Sequence, residues 1–154
     1  MSKRYVVTDP CYILPDTTWK ECLEKCDEFA SEADWSEVFN KEVEQALKDF
    51  TQGQAFVEST GFGDWSNTLH GPYVHNTGSF CADSGMVCVC ECVGKVQEAL
   101  DGINDGCYAL FDATGPLKVN FDRSERDWTV VEIEDAEGFE WYTDIPYGED
   151  EDEE

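Results

Sequence analysis

Apolar residues recur at the three- and four-residue spacing of a helix through residues 17–50, then switch after Gly53 to the two-residue spacing of strands. Trp19, Cys22, Leu23 and Cys26 follow Asp16 or Thr17 as N-cap and predict a helix over about 17–30. Ser31 or Asp34 opens a second stripe of Trp35, Val38, Phe39, Val43, Ala46, Leu47 and Phe50, which predicts a helix to about residue 50. Together they make an αα-hairpin. Ahead of it, residues 4–8 are β-branched and aromatic and stop at Asp9-Pro10, as a strand entering a turn does. Residues 11–14 read as a second short extended piece.

Residues 54–60 predict a strand, followed by the glycine-rich loop Gly61-Phe62-Gly63-Asp64-Trp65-Ser66-Asn67 and a polar stretch through Asn76. Strand signals return from Phe80 to Val93 around the turn-like trio Asp83-Ser84-Gly85. Met86, Cys88, Cys90 and Cys92 fall on one face of that strand, and Val87, Val89, Glu91 and Val93 on the other. A short helix is expected at about 94–101. Residues 107–111 and 117–121 are expected to form a hairpin about Thr114-Gly115. Residues 122–127 read as a turn into a strand over 128–134, and residues 139–143 as a strand closing the sheet at its edge.

The pattern predicts an α+β fold, with an N-terminal helical hairpin packed on an antiparallel, turn-rich β-sheet. A length of 154 suits one domain, expected over residues 1–147. The run Gly148-Glu149-Asp150-Glu151-Asp152-Glu153-Glu154 is too charged to pack and is expected to be a disordered tail. No segment reads as a signal peptide or a membrane span, so a soluble protein of the cytoplasm is expected.

Charge changes the picture most. Thirty-five Asp and Glu oppose ten Lys and Arg, for a net charge of −25, yet 41% of the residues are apolar, enough to build a core. Residues 1–50 carry −6, residues 51–100 carry −4 and residues 101–154 carry −15. Such self-repulsion opposes folding and suits a basic partner. Ten scattered bases form no patch for phosphates, which argues against direct binding to nucleic acid and to anionic membrane surfaces.

Three constellations invite chemistry. Eight cysteines without an export signal read as reduced, partly buried thiols, and the spacing Cys88-x-Cys90-x-Cys92 suits a sheet face better than a tetrahedral metal site. No metal and no cofactor are expected. A Cys–His pair from Cys11 with His70 or His75 has the groups for acyl transfer but no sequence sign that they meet. Finally, turn residues Asp9, Cys11, Asp64, Trp65, Asn67, Asp83 and Ser84 would line a pocket if they converged, although Asp, Asn and Ser also close turns by themselves. No catalytic residue is assigned.

The strings Thr8-Asp9-Pro10-Cys11-Tyr12, Gly61-Phe62-Gly63-Asp64-Trp65-Ser66-Asn67 and Ala82-Asp83-Ser84-Gly85-Met86 resemble signature segments of a family of small uncharacterised acidic proteins of bacteria and phages. The segments Phe121-Asp122-Arg123-Ser124 and Trp128-Thr129-Val130-Val131 look similar too. The resemblance covers most of residues 5–134 and carries no established activity. It implies a phage or mobile-element setting, where small proteins often inhibit host defence, anti-CRISPR proteins among them.

Setting and charge together give the leading expectation. It is an acidic, phage-encoded interaction protein that blocks a basic host nucleic-acid-binding or defence protein by presenting carboxylates in place of phosphates. A domain of this length is about 40 Å across, and a duplex of that length carries roughly 23 phosphates, close to the chain's own charge. Asp122, Glu125, Asp127, Glu132, Glu134, Asp135, Glu137 and Glu140 are the candidate partner-binding ridge. The alternative is a small enzyme or ligand-binding module built on the turn residues around Asp9, Cys11, Asp64 and Asp83. The sequence leaves the oligomeric state open.

Overall fold

In a computed structural model, described for residues 2–29, 35–59, 65–82, 86–122 and 130–143, the chain is α+β with three helices and two antiparallel sheets. Strand β1 (Ser2–Thr8) leads through a short 3-10 turn at Pro10–Tyr12 into helices α1 (Asp16–Phe29) and α2 (Trp35–Thr51). Then come β2 (Ala55–Ser59), β3 (Trp65–His70), β4 (Ser79–Ala82), β5 (Met86–Glu91) and helix α3 (Gly94–Leu100). Strands β6 (Ala109–Thr114), β7 (Lys118–Asp122), β8 (Val130–Glu134) and β9 (Glu140–Thr143) complete the order. The first sheet runs β2-β5-β1-β6 and the second β4-β3-β9-β8-β7.

The alternation within the first sheet explains the stacking. Val6, Met86, Cys88, Cys90, Ala55, Val57 and Leu110 pack with Cys22, Cys26, Phe39, Val43, Leu47, Val96 and Leu100 of the helices. The intervening residues Tyr5, Val7, Val87, Val89, Ala109, Phe111 and Ala113 pack instead with Leu69, Phe80, Val131, Ile133 and Trp141 of the second sheet. The first sheet is therefore apolar on both faces, covered by helices on one and by a sheet on the other. Each fully buried side chain of this kind stabilises the fold by roughly 1.5–3 kcal/mol relative to exposure. The alternation expected of Met86, Cys88 and Cys90 against Val87 and Val89 is the alternation observed.

Four expectations are corrected by this arrangement. The single sheet is two stacked sheets. The extended piece at 11–14 is a 3-10 turn, because Pro10 starts it and the Asp9 carboxylate accepts the Cys11 N–H at 2.9 Å. Strands β6 and β7 do not form a hairpin: β6 pairs with β1 over six residues and β7 pairs with β8. The chain changes sheet between them because β6 opens with apolar residues on both faces, Ala109 and Phe111 on one and Leu110 on the other, whereas β7 shows Lys118 and Asn120 to solvent. Strand β9 lies not at an edge but between β3 and β8, held by the fully buried Trp141.

The crossing from the second sheet back to the first depends on one glycine. Gly71, at φ +145°, follows β3, and a Cβ there would stand 2.5 Å from Trp141 Cδ1 and 2.8 Å from the Glu140 carbonyl. The Trp141 indole N–H donates to the Pro72 carbonyl. Residues 73–75 then run beside β6, with Val74 bridged to Phe111. Asp16 begins α1 as its first helical residue rather than its cap, since the Pro15 carbonyl accepts the Trp19 N–H. The expected caps Ser31 and Asp34 of α2, and the tail from Gly148, lie outside the described residues. None of the described helices is long and apolar enough to cross a membrane.

Candidate functional site

On the second sheet, Val131, Ile133 and Trp141 point inward, so their neighbours in the strands point away from the core. Register then sorts the outer residues into rows across the strands. Asn120, Glu132, Tyr142 and His70 lie in one row, and Lys118, Glu134 and Glu140 in the next. The Asn120 side-chain amide donates to Glu132 Oε1 at 2.9 Å, and the His70 and Tyr142 rings are 5.4 Å apart. All of these side chains except His70 border a shallow groove of about 480 Å³. Glu134 stands directly opposite Glu140, a like-charge pairing that works against the sheet.

The candidate ridge is thus partly assembled. Glu132, Glu134 and Glu140 share the outer face, and Asp122, half-buried, lies one row beyond, opposite Val130. Glu137 is exposed at the β8–β9 turn, where its Oε2 accepts the Thr114 hydroxyl at 2.9 Å. Asp135 departs from the ridge. It is buried, its Oδ1 accepts the Glu137 and Phe139 N–H groups at 3.0 and 2.9 Å, and its Oδ2 accepts the Thr114 N–H at 3.1 Å. Its position at the start of a tight hairpin loop, closed by Gly138 at φ +94°, turns the carboxylate onto the backbone. Glu125 and Asp127 lie outside the described residues.

The turn residues divide differently. Asp9 is fully buried and caps the 3-10 turn through the Cys11 N–H, and Thr8 beside it donates its hydroxyl to the Cys107 carbonyl at 2.8 Å. Asn67 lies within β3 and accepts the Thr68 N–H at 2.7 Å. Trp65 is the first residue of β3, its backbone in register with Ala82. Asp64, Asp83 and Ser84 lie outside the described residues. Asp9 and Asn67 each serve the local backbone, the role that short polar side chains have in turns.

None of the eight cysteines is in a disulfide. Burial raises the thiol pKa of Cys22, Cys26 and Cys88, and that of Cys92 to about 11, with Cys90 adding to the rise at Cys88 and Cys92. Such thiols hold little thiolate near neutral pH and are poor nucleophiles. Among the described residues no group of three or more His, Cys, Asp or Glu stands ready for a metal ion.

One polar cluster escaped the sequence reading. His75 Nε2 lies 2.7 Å from Asp112 Oδ2, and Arg4 Nε lies 3.3 Å from Asp112 Oδ1. Desolvation pushes the Asp112 carboxyl up, but hydrogen bonds from His75 and Arg4, with their charges, outweigh it and hold its pKa below the ordinary value. The register that joins residues 4, 75 and 112 is set by β1–β6 pairing and the 73–75 segment. A second omission lies beside it: Tyr73 and Phe139 are both exposed, with ring centroids 5.6 Å apart.

No family model, curated protein or solved structure matches the chain.

Proposed function

We propose that this chain is an acidic interaction protein, encoded in the phage or mobile-element setting that its segments resemble. It inhibits a basic host nucleic-acid-binding or defence protein by offering carboxylates where that protein expects phosphates. The observation that carries the reading is the opposition of Glu134 and Glu140 on the outer face of β8 and β9. Glu134 has Lys118 opposite it on β7, but on β9 it meets a second glutamate, where stability alone would favour a lysine or threonine. Glu132 lies about 7 Å along the strand from Glu134, by the strand rise, and Asp122 extends the charge to the next row.

Lys118 is the one Lys or Arg in register with these rows among the described residues, so the face keeps a surplus of negative charge. Carboxylates held on a sheet are fixed in relative position. Their ordering cost is met when the protein folds rather than when it binds. Opposed charges of this kind raise the rate of encounter with a basic surface and make binding sensitive to salt.

The test is capture of host proteins on the purified chain at low and high salt, followed by assay of each captured protein for DNA binding. The reading holds if a captured protein binds DNA, releases it to this chain, and is no longer retained by the Glu132→Gln, Glu134→Gln, Glu140→Gln variant. It falls if DNA does not compete, or if the triple variant captures as well as the parent.

A further inference from the structure

Three large apolar side chains are exposed among the described residues, Tyr73, Phe139 and Tyr142. Two of them touch, the Tyr73 and Phe139 rings meeting edge to face at 5.6 Å. Tyr73 holds this place at φ +62°, a left-handed conformation that bulky residues avoid. Hydrogen bonds on either side fix it: the Asp112 N–H donates to the Tyr73 carbonyl at 3.1 Å, and the His75 N–H to the Leu110 carbonyl at 2.8 Å. Backbone strain imposed by surrounding structure is a common mark of ligand sites. Here it presents a ring to solvent, which is unfavourable for the free protein a second time.

The same two rings belong to the lining of a pocket of about 420 Å³ at the junction of β6 with the β8–β9 turn. Asp112, Asp135 and Glu137 also line it, and no Lys or Arg does. Arg4 offsets the charge of Asp112 from the side and His75 bonds its other oxygen at 2.7 Å, so the surplus in the pocket rests on Asp135 and Glu137. Asp135 is held by backbone N–H groups, which satisfy its oxygens without removing its charge. Glu137 is bonded to a neutral hydroxyl. The pocket therefore combines surplus negative charge with two aromatic rings in contact.

That combination selects a cation with a flat, weakly hydrated face. A guanidinium stacks on an aromatic ring and donates in its own plane to carboxylates at the same time, which an ammonium cannot match. We propose that this pocket receives an arginine side chain of the basic partner, fixing the register in which the partner meets the glutamate rows. The proposal rests on the reading of a basic partner, but it uses residues separate from Glu132, Glu134 and Glu140.

The test is an amide-shift NMR titration of the full chain with two blocked peptides, acetyl-Gly-Arg-Gly-amide and its neutral citrulline counterpart. The arginine peptide is expected to shift the Thr114, Glu137 and Phe139 amides saturably, with the citrulline peptide at least about tenfold weaker. Tyr73→Gly with Phe139→Ala removes both rings, and glycine is at ease at that φ. This double variant should lose the response while the amides of β1 and β5 stay in place. The Glu132→Gln, Glu134→Gln, Glu140→Gln variant should keep the response. Equal shifts with citrulline, shifts confined to the outer face of β7–β9, or an unchanged titration in the ring variant would overturn the proposal. If the arginine response is present while DNA fails to compete for the partner, the pocket stands and the mimicry falls. The converse result removes the pocket alone.

Discussion

Glu134 on β8 is paired directly with Glu140 on β9, and both side chains face solvent. Facing like charges destabilise a strand pair, and opposite charges stabilise it by a similar amount. Glu140→Lys should therefore raise the melting temperature by about 2 °C, read by calorimetry at low ionic strength, with the gain shrinking as salt is added. The same substitution should weaken capture of a basic partner. A variant that gains stability and loses binding is the signature of a surface selected for contact, whereas a melting temperature that falls would mean that the two carboxylates are not in repulsion.

Asp135 makes the opposite prediction, because its carboxylate serves the fold. Three backbone N–H groups depend on it, and the Ala136 N–H next to it donates to the Thr114 carbonyl, so the hairpin tip is tied to the end of β6. Asp135→Ala leaves those donors without their acceptor and should cost about 3 kcal/mol in urea unfolding. Asp135→Asn keeps one acceptor oxygen and should cost about half as much. A loss below about 0.5 kcal/mol in the alanine variant would show that water or a neighbouring carbonyl replaces the carboxylate.

How far the sequence could be read depends on whether a residue's partner is near it in the chain. The two helices and the divided faces of β5 were legible because spacing alone reports them. Strand β3 was not, since from Ser66 to His70 Leu69 alone is apolar and the outer face is polar. The break between β6 and β7 resembles a hairpin turn locally. Its true nature depends on Leu110 packing toward the helices while Phe111 packs toward the other sheet. The continuous apolar run from Ala109 to Phe111 held that signal. Arg4, His75 and Asp112 meet across 71 and 108 residues of sequence, which no local pattern encodes. Of the candidate ridge, the alternation of Glu132 and Glu134 in β8 was legible, but the inward turn of Asp135 required the loop geometry.

The lowered pKa of Asp112 sets a pH dependence of stability. Burial alone would raise it, but the hydrogen bonds from His75 and Arg4 prevail. A carboxyl that holds its proton less tightly when folded contributes stability above its unfolded value of about 3.8, and loses it as pH falls through the lower folded value. This contribution should be complete near pH 6, begin to fall near pH 4 and be gone once the pH is below the lower folded value. Melting temperatures of the parent and Asp112→Asn, measured from pH 7 to pH 2, should differ at neutral pH and converge in acid. Curves that stay parallel throughout would show that the Asp112 carboxylate gains nothing from His75 and Arg4.

Cys92 offers a test of the helix-facing core by chemistry rather than by stability. Its thiol is half-buried at the end of β5, where desolvation, then the neighbouring Cys90, raise its pKa to about 11 from 9.0. At pH 8 this reduces the thiolate fraction about 100-fold, while the greater basicity of the thiolate restores about tenfold in nucleophilicity. Alkylation of Cys92 by iodoacetamide in the folded chain should therefore run about tenfold slower than in urea from this effect alone, and more slowly still where access is limited. The decisive reading is the pH profile, followed by mass spectrometry of the peptide that carries Cys92. Its rate should keep climbing about tenfold per pH unit beyond 9 and level off near 11. A plateau near pH 9 would mean that the thiol is hydrated and that α3 does not shield the end of β5.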